Sequence, residues 1–112
     1  MKLITSPLTA NEIAELKSQF GNHLKLTIDL DKEMVVVGCL LHADGEDMLL
    51  RNGSQQKDIW GGGIDLGTKT IDTVAILNLR PNFDNNSLDI IDAKRREKFI
   101  NLAKIFFQAL WI

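Results

Sequence analysis

The sequence predicts an α+β fold in which helices pack on one face of an antiparallel sheet of four strands, or five with an edge segment at residues 88–91. Two observations predict this class. Apolar residues recur with helical spacing in some segments and alternate with polar residues in others. No repeat, linker or low-complexity tract separates these segments, so we expect one domain over residues 1–112 with the order α-β-β-α-β-β-α.

The first third of the chain predicts a helix followed by a hairpin. The segment from Thr9 to Glu12 has the pattern of a capping box, and Gly21 suits a left-handed helix end. Residues 24–30 alternate between apolar and polar, which is typical of a strand with one buried face. Residues 34–39 are apolar at successive positions, which is typical of an inner strand.

The middle helix is predicted to begin at Asp44 and to end at Gly53. Asp44 suits the N-cap position, because its carboxylate can accept from free backbone N–H groups. Glu46 and Asp47 then lie in the first turn, where they complement the helix dipole. Gly45 lowers the helix propensity of this segment.

The last third of the chain predicts a second β region and a final helix. Residues 54–60 open a strand that the three glycines at 61–63 interrupt, and residues 71–80 predict a strand that ends at Pro81. Asp92 suits the N-cap of the last helix. The apolar stripe of that helix includes Phe99, Ala103, Phe106 and Leu110.

Composition excludes several classes of function. Thirteen basic residues against fifteen acidic residues give a net charge of −2, so no bulk field attracts nucleic acid or an anionic membrane. We therefore expect no nucleic-acid partner and no membrane partner. Cys39 is the single cysteine, which excludes an intramolecular disulfide and a CxxC motif, and its apolar surroundings favour an inert buried thiol. No secretory signal and no apolar stretch of about 20 residues is found, so we expect a cytoplasmic location.

His42 and Asp44 are the candidate catalytic residues. Together with Glu46 and Asp47 they can supply a divalent-metal site or a general base. Helix capping and dipole effects explain the three acids without any ligand, and we regard that interpretation as the stronger one. The sequence leaves the metal and any cofactor unidentified.

Asn78 and Arg80 are candidate ligand-binding residues, together with Asp58 and Trp60. Alternation along the predicted strand 71–80 places both side chains on one face at the end of the strand. The planar donor fork of Arg80 suits a carboxylate or a phosphate. The alternative is that Arg80 pairs with Asp89 or Asp92 and fixes the loop.

The segment from Asp58 to Gly63 is the least ordinary stretch of the chain. Three consecutive glycines allow a bulge or the close approach of a ligand, but they do not match a phosphate-binding loop. Trp60 can stack on a flat ligand, although a tryptophan in a core or an interface is more common. Residues 94–98 form the only local basic patch, which is most simply a solvated helix face.

Three separated motifs resemble a family of small bacterial proteins with a domain of unknown function. They are Leu41-His42-Ala43-Asp44, the segment from Gly53 to Gly61, and the segment from Leu77 to Pro81. The resemblance spans nearly the whole chain and implies a single cytosolic α+β domain, with no activity to carry over. The motifs include the polar positions selected above, which gives the hypothesis that His42, Asp44, Asp58, Asn78 and Arg80 form one pocket.

Two functions from different classes are considered first, and nucleic-acid or toxin–antitoxin-like regulation through the basic patch at residues 94–98 is a third possibility. The leading prediction is a binding module for a partner protein, for a second copy of the chain, or for a small anionic ligand. The apolar residues 110–112 at the end of the last helix would form a patch if they were left exposed, which would favour self-association. The alternative is a small metal-assisted or phosphate-handling hydrolase that uses His42, Asp44 and Arg80. Whether the protein is an enzyme is left open by the sequence.

Overall fold

A computed structural model describes all 112 residues as a five-stranded sheet with three α-helices. The elements in chain order are β1 (Lys2–Ile4), α1 (Ala10–Phe20), β2 (His23–Asp29), β3 (Met34–Val37), α2 (His42–Arg51), β4 (Ile59–Asp65), β5 (Thr70–Asp72) and α3 (Ala93–Phe106). All strand pairs are antiparallel, in the order β1-β3-β2-β4-β5. The predicted α+β class is therefore confirmed, and β1 supplies a strand that is too short to show a period in the sequence.

The helices lie on both faces of the sheet, and the expectation of a single covered face is wrong for α2. Leu24, Leu26 and Ile28 of β2 belong to the main core, which α1 and α3 close. The alternate side of the sheet carries a smaller core, in which Val36 packs with Leu49 of α2. Successive side chains of a strand point to opposite faces, so the hairpin is covered from both sides.

Gly45 explains why α2 can lie close to the sheet. A Cβ atom added at this position would lie 2.5 Å from Thr27 Oγ1, which is closer than real contacts allow. The residue that weakens the helix in the sequence therefore allows the helix to pack. The helix itself begins at His42 with Leu41 at the N-cap, so Asp44 lies in the first turn and is not the cap.

The other helix boundaries follow the local signals. Thr9 and Glu12 form the capping box of α1, and Gly21 ends this helix with φ 80°. Asp92 caps α3 by accepting from the backbone N–H of Arg95. No helix of the protein has the length and apolar character that a membrane span requires.

The predicted strand over residues 71–80 is wrong beyond Asp72. The carboxylate of Asp72 accepts from Val74 N, and the chain leaves the sheet at this turn. Residues Ile76–Asn78 then form a 3-10 turn, and Asp89 makes only an isolated bridge with Val74. By contrast β4 continues through all three glycines, so the predicted break at 61–63 is also wrong.

Candidate functional site

An open cleft of about 510 Å³ lies between the start of α2 and the segment that follows β5. Nine residues line it, and seven of them are apolar. They are Lys25, Leu41, His42, Ala43, Val74, Ala75, Ile76, Leu77 and Leu88. The cleft has the size of a small-molecule site, since such sites measure about 300–1,000 Å³.

The rim of the cleft exposes large apolar side chains. Ile76 is 82% exposed on one wall and Leu41 is 62% exposed on the other. Val74 and Leu88 are also exposed. Single exposed apolar side chains are common on protein surfaces, but these converge on one concave site.

The glycines of β4 bring the two walls together. A Cβ atom at Gly61 would lie 2.8 Å from the Ala75 side chain and 2.9 Å from the His42 ring. Because Gly61 has no side chain, both residues rest directly on the strand. The glycine run of the sequence therefore serves the close packing of α2 and the segment after β5 on β4.

His42 is held by the sheet in a defined orientation. Its Nε2 lies 2.7 Å from the carbonyl oxygen of Gly62, and a carbonyl can only accept, so Nε2 carries the proton. Burial of the half-buried ring lowers the pKa of His42 below 6.5, and this outweighs the opposing effect of the Gly62 hydrogen bond. The imidazole is therefore neutral at pH 7.

Lys25 is the only cation that lines the cleft. It lies on β2 opposite Gly63, and its side chain is half-buried. Asp72 of β5 pairs with Gly63 on the opposite edge of β4, and a Cβ atom at Gly63 would lie 3.0 Å from its carboxylate oxygen. Lys25 and Asp72 nevertheless form no ion pair within 4.0 Å.

The predicted ligand residue Asn78 is fully buried and bonded to the backbone. Its Oδ1 accepts from Gly61 N at 2.8 Å, and its Nδ2 donates to the carbonyl oxygen of Gly61 at 2.8 Å. Nδ2 also donates to the carbonyl oxygens of Thr73 and Leu88. The side-chain amide thus occupies the place of a neighbouring strand beside β4, and no donor remains for a ligand.

Arg80 has a similar internal role. Its side chain is 7% exposed and donates to the carbonyl oxygens of Gln56 at 2.8 Å and Ile59 at 2.6 Å. It also pairs with Glu46 of α2, so the expected partners Asp89 and Asp92 are not the ones it uses. Arg80 therefore ties α2 to the start of β4.

Trp60 and Asp58 also make internal contacts near the start of β4. The Trp60 ring is fully buried, with Arg80 Cζ 5.2 Å and Arg95 Cζ 4.2 Å from its centroid. Its Nε1 donates to the carbonyl oxygen of Lys57 at 3.0 Å. Asp58 forms an ion pair with Lys57, and its carbonyl oxygen accepts from Leu30 N. Trp60 is a core residue, as the more common of the two interpretations expected.

Of the five polar positions expected to form one pocket, His42 and Asn78 both lie against Gly61 of β4, but the five do not line one cleft. Asp44 is exposed and lines a different cleft with Cys39 and Arg51. His42 bonds to Gly62, whereas Arg80 bonds to Ile59, three residues earlier on β4. At about 3.3 Å per residue this separation is about 10 Å along the strand. No group of three His, Cys, Asp or Glu side chains is placed to hold a metal ion.

Most basic side chains of the patch at residues 94–98 also contact other groups of the protein. Arg95 stacks on Trp60, Arg96 donates to the carbonyl oxygen of Ile90, and Lys98 pairs with Glu33. Cys39 is buried, and burial raises the pKa of its thiol, which agrees with the expected inert role.

A family profile described as "Protein of unknown function (DUF5674)" matches residues 2–106, from the start of β1 to the end of α3. The chain belongs to the DUF5674 family. The matched segment includes every residue that lines the apolar cleft. No curated protein and no solved structure matches the chain. Membership of a family of unknown function is therefore confirmed, and the DUF5674 description assigns no activity.

Sequence reasoning missed most of the cleft of this DUF5674 chain. Leu41, Val74 and Ile76 look like core residues in the sequence, because apolar side chains in regular patterns are usually buried. Lys25 looks like the polar side of an ordinary strand. The one available signal was His42, whose motif also contains Leu41 and Ala43.

Proposed function

We propose that the protein is a small binding module whose ligand lies in the apolar cleft beside α2. The observation that supports this most directly is the convergence of seven apolar side chains on one open concavity. Small-molecule sites are characteristically apolar clefts with a few polar groups, here Lys25 and His42. The buried, unpaired Cys39 suits a reducing compartment, so a cytoplasmic location is part of the proposal.

The exposure of the walls supports binding over a purely structural role. If Ile76 and Leu41 served only the fold, burial of their side chains would stabilise it by about 1.5–3 kcal/mol each. Both remain largely in water, where a bound ligand would cover them. The neutral state of His42 also suits an apolar site, since it adds no charge that must be desolvated.

We do not propose the hydrolase alternative. It requires His42, Asp44 and Arg80 at one reacting group, because general bases and charge stabilisers act at hydrogen-bond reach. Asp44 faces another cleft, and Arg80 uses its guanidinium on internal carbonyl groups and on Glu46.

The test is a fragment screen by ¹H–¹⁵N NMR on the full chain. We expect apolar fragments to shift the amides of Leu41, Ala43 and the segment 74–77. The variant Ile76→Glu places a charge in the cleft at an exposed position, so it should abolish the shifts and leave the fold intact. Ile105→Glu, an exposed position of α3 away from the cleft, is the matched control. Shifts confined to other surfaces, or no shifts with any fragment, would reject the proposal.

Self-association is a second candidate function, favoured by a different observation. Trp111 is 43% exposed and the neighbouring Ile112 is fully exposed, in the segment that follows α3. Apolar side chains at one place on a surface favour association with a copy or a partner. Light scattering over a hundredfold concentration range should then show the mass of a dimer that Trp111→Glu converts to a monomer. A monomer mass at every concentration would reject this candidate.

A further inference from the structure

We infer that the ligand of the cleft is a small monocarboxylate with an apolar body, and that the Lys25 ammonium group holds its carboxylate. This inference rests on the proposed function and adds the chemical class of the ligand. It makes Lys25 the residue that determines specificity in the cleft.

Lys25 differs from the other twelve basic side chains of the protein. Eight of those are engaged: Lys2 with Glu12, Lys32 with the Gly53 carbonyl oxygen, Arg51 with Asp47, Lys57 with Asp58, Arg80 with Glu46, Lys98 with Glu33, Arg95 over Trp60 and Arg96 with the Ile90 carbonyl oxygen. The other four are exposed to water, namely Lys17, Lys69, Lys94 and Lys104. Lys25 alone is half-buried without an acidic partner or an aromatic ring.

The unpaired charge of Lys25 points to an anion as its partner. Lys25 is half-buried and has no acidic partner, and an opposite charge that arrives with a ligand gives its ammonium group the partner that it lacks. Asp72 and His23 lie beside Gly63 on this face of the sheet, and neither lines the cleft. A ligand carboxylate on the cleft side therefore meets Lys25 before it meets Asp72.

The number of charges points to a monoanion. Lys25 is the single cation of the lining, and His42 donates its one proton to Gly62 and carries no charge at pH 7. A phosphate ester carries close to two negative charges and prefers several donors or a helix N-terminus. One ammonium group above an apolar wall instead matches one carboxylate on an apolar chain or ring.

The volume of the cleft favours a small molecule over a protein segment. A site of about 510 Å³ lies within the range for small ligands. Peptide grooves, by comparison, use repeated anchors along a strand or a helix. Leu41 and Ile76 form the two opposing walls of a single site, so we assign one compact ligand.

The test compares three probes with the same eight-carbon tail: octanoate, 1-octanol and octylammonium. Each is titrated into the wild-type protein at pH 7 and followed by the NMR shifts of Leu41, Ala43 and Ile76. Octanoate should bind in the cleft with a Kd on the order of 100 μM, which is modest because the ligand has few atoms. 1-Octanol should bind about fivefold more weakly, as expected for the loss of one partly exposed charge pair.

Lys25→Met removes the charge and keeps a side chain of similar length. We expect it to weaken octanoate binding about fivefold, to the affinity of 1-octanol, and to leave 1-octanol binding unchanged. Lys25→Arg should restore octanoate binding, and Lys17→Met, an exposed lysine of α1, should have no effect. Thermal melts of both Lys25 variants establish that the fold is retained.

The outcomes separate the two proposals. If 1-octanol or octylammonium binds the cleft as tightly as octanoate, the carboxylate inference is overturned while the binding cleft stands. If Lys25→Met leaves octanoate binding unchanged, Lys25 is not the carboxylate receptor and the inference fails. If neither these probes nor the fragment library shifts the cleft amides, the proposed function fails as well.

Discussion

Replacement of Asn78 by leucine is expected to remove the hydrogen bonds that its side-chain amide makes to the edge of β4 at Gly61. The side-chain amide of Asn78 pairs with both the N–H and the carbonyl group of Gly61. In an antiparallel strand these two groups of one residue point to the same side, so both face Asn78 and not β2. Leucine has a similar size and offers neither a donor nor an acceptor.

The magnitude follows from the groups that lose their only partner. The carbonyl oxygens of Thr73 and Leu88 also accept from Ile90 N and Ala75 N, so each keeps a hydrogen bond in the variant. The N–H and the carbonyl group of Gly61 keep none. At about 2 kcal/mol for each buried unsatisfied group, the loss is about 4 kcal/mol. The apolar leucine side chain recovers about 1 kcal/mol by its burial, which leaves a net loss of about 3 kcal/mol.

Urea unfolding at pH 7 measures this loss. The buried Trp60 gives a fluorescence signal that changes when the core opens. With an m value of about 2 kcal/mol/M, the midpoint of Asn78→Leu should fall by about 1.5 M. Asn101→Leu, at an exposed position of α3, should change the free energy of unfolding by less than about 0.5 kcal/mol. A loss below about 1 kcal/mol for Asn78→Leu would refute the role assigned to its amide.

Three further substitutions test other parts of the structure. Arg80→Met leaves Glu46 without its cation, so we expect the free energy of unfolding in urea to fall by about 3 kcal/mol. The double variant Arg80→Met with Glu46→Gln should recover part of this loss. An unchanged urea midpoint in Arg80→Met would contradict the ion pair. Gly45→Ala should lower the melting temperature although alanine favours helices by about 1 kcal/mol, because its Cβ meets Thr27; a higher melting temperature would contradict the contact. His42 has a lowered pKa in the folded state, so unfolding binds a proton below pH 6.5 and the free energy of unfolding should fall as pH decreases from 7 to 5. Urea unfolding at several pH values should show a weaker fall in His42→Gln, and equal falls would contradict the burial of the neutral ring.

The parts of the fold that were predicted correctly depend on local signals. The capping box at Thr9 and the cap at Asp92 mark helix starts through contacts within one turn. The alternation in residues 24–30 predicts β2, although the polar face of this strand is also buried at Thr27 and Asp29. Apolar and β-branched side chains dominate residues 71–80, which is why the sequence predicts a strand there. The turn at Asp72 and the amide of Asn78 act between distant segments, and no local pattern reveals them.

The candidate site was difficult to predict for a related reason. Side chains with many hydrogen-bonding atoms, such as Asn78 and Arg80, look reactive in a sequence. In this fold they serve buried backbone groups that have no strand beside them. Ile76 and Leu41 look like core residues, yet they form the walls of an open cleft. Judged by residue type alone, the structural residues Asn78 and Arg80 therefore look like ligand-binding residues, and the cleft residues Ile76 and Leu41 look like core residues.

The cleft and the edge of β4 that β5 leaves unpaired have one structural origin. Because β5 stops at Asp72 and Asn78 satisfies Gly61 from outside the sheet, residues 74–77 do not pair with β4 and can form a wall of the cleft. Ligand binding should therefore stabilise the native arrangement of this wall. A ligand at 100 times its Kd adds about 2.7 kcal/mol to the free energy of unfolding. In Asn78→Leu the same octanoate concentration should add less, because the wall is held less firmly and the affinity falls. An equal gain in both proteins would show that the wall does not depend on Asn78.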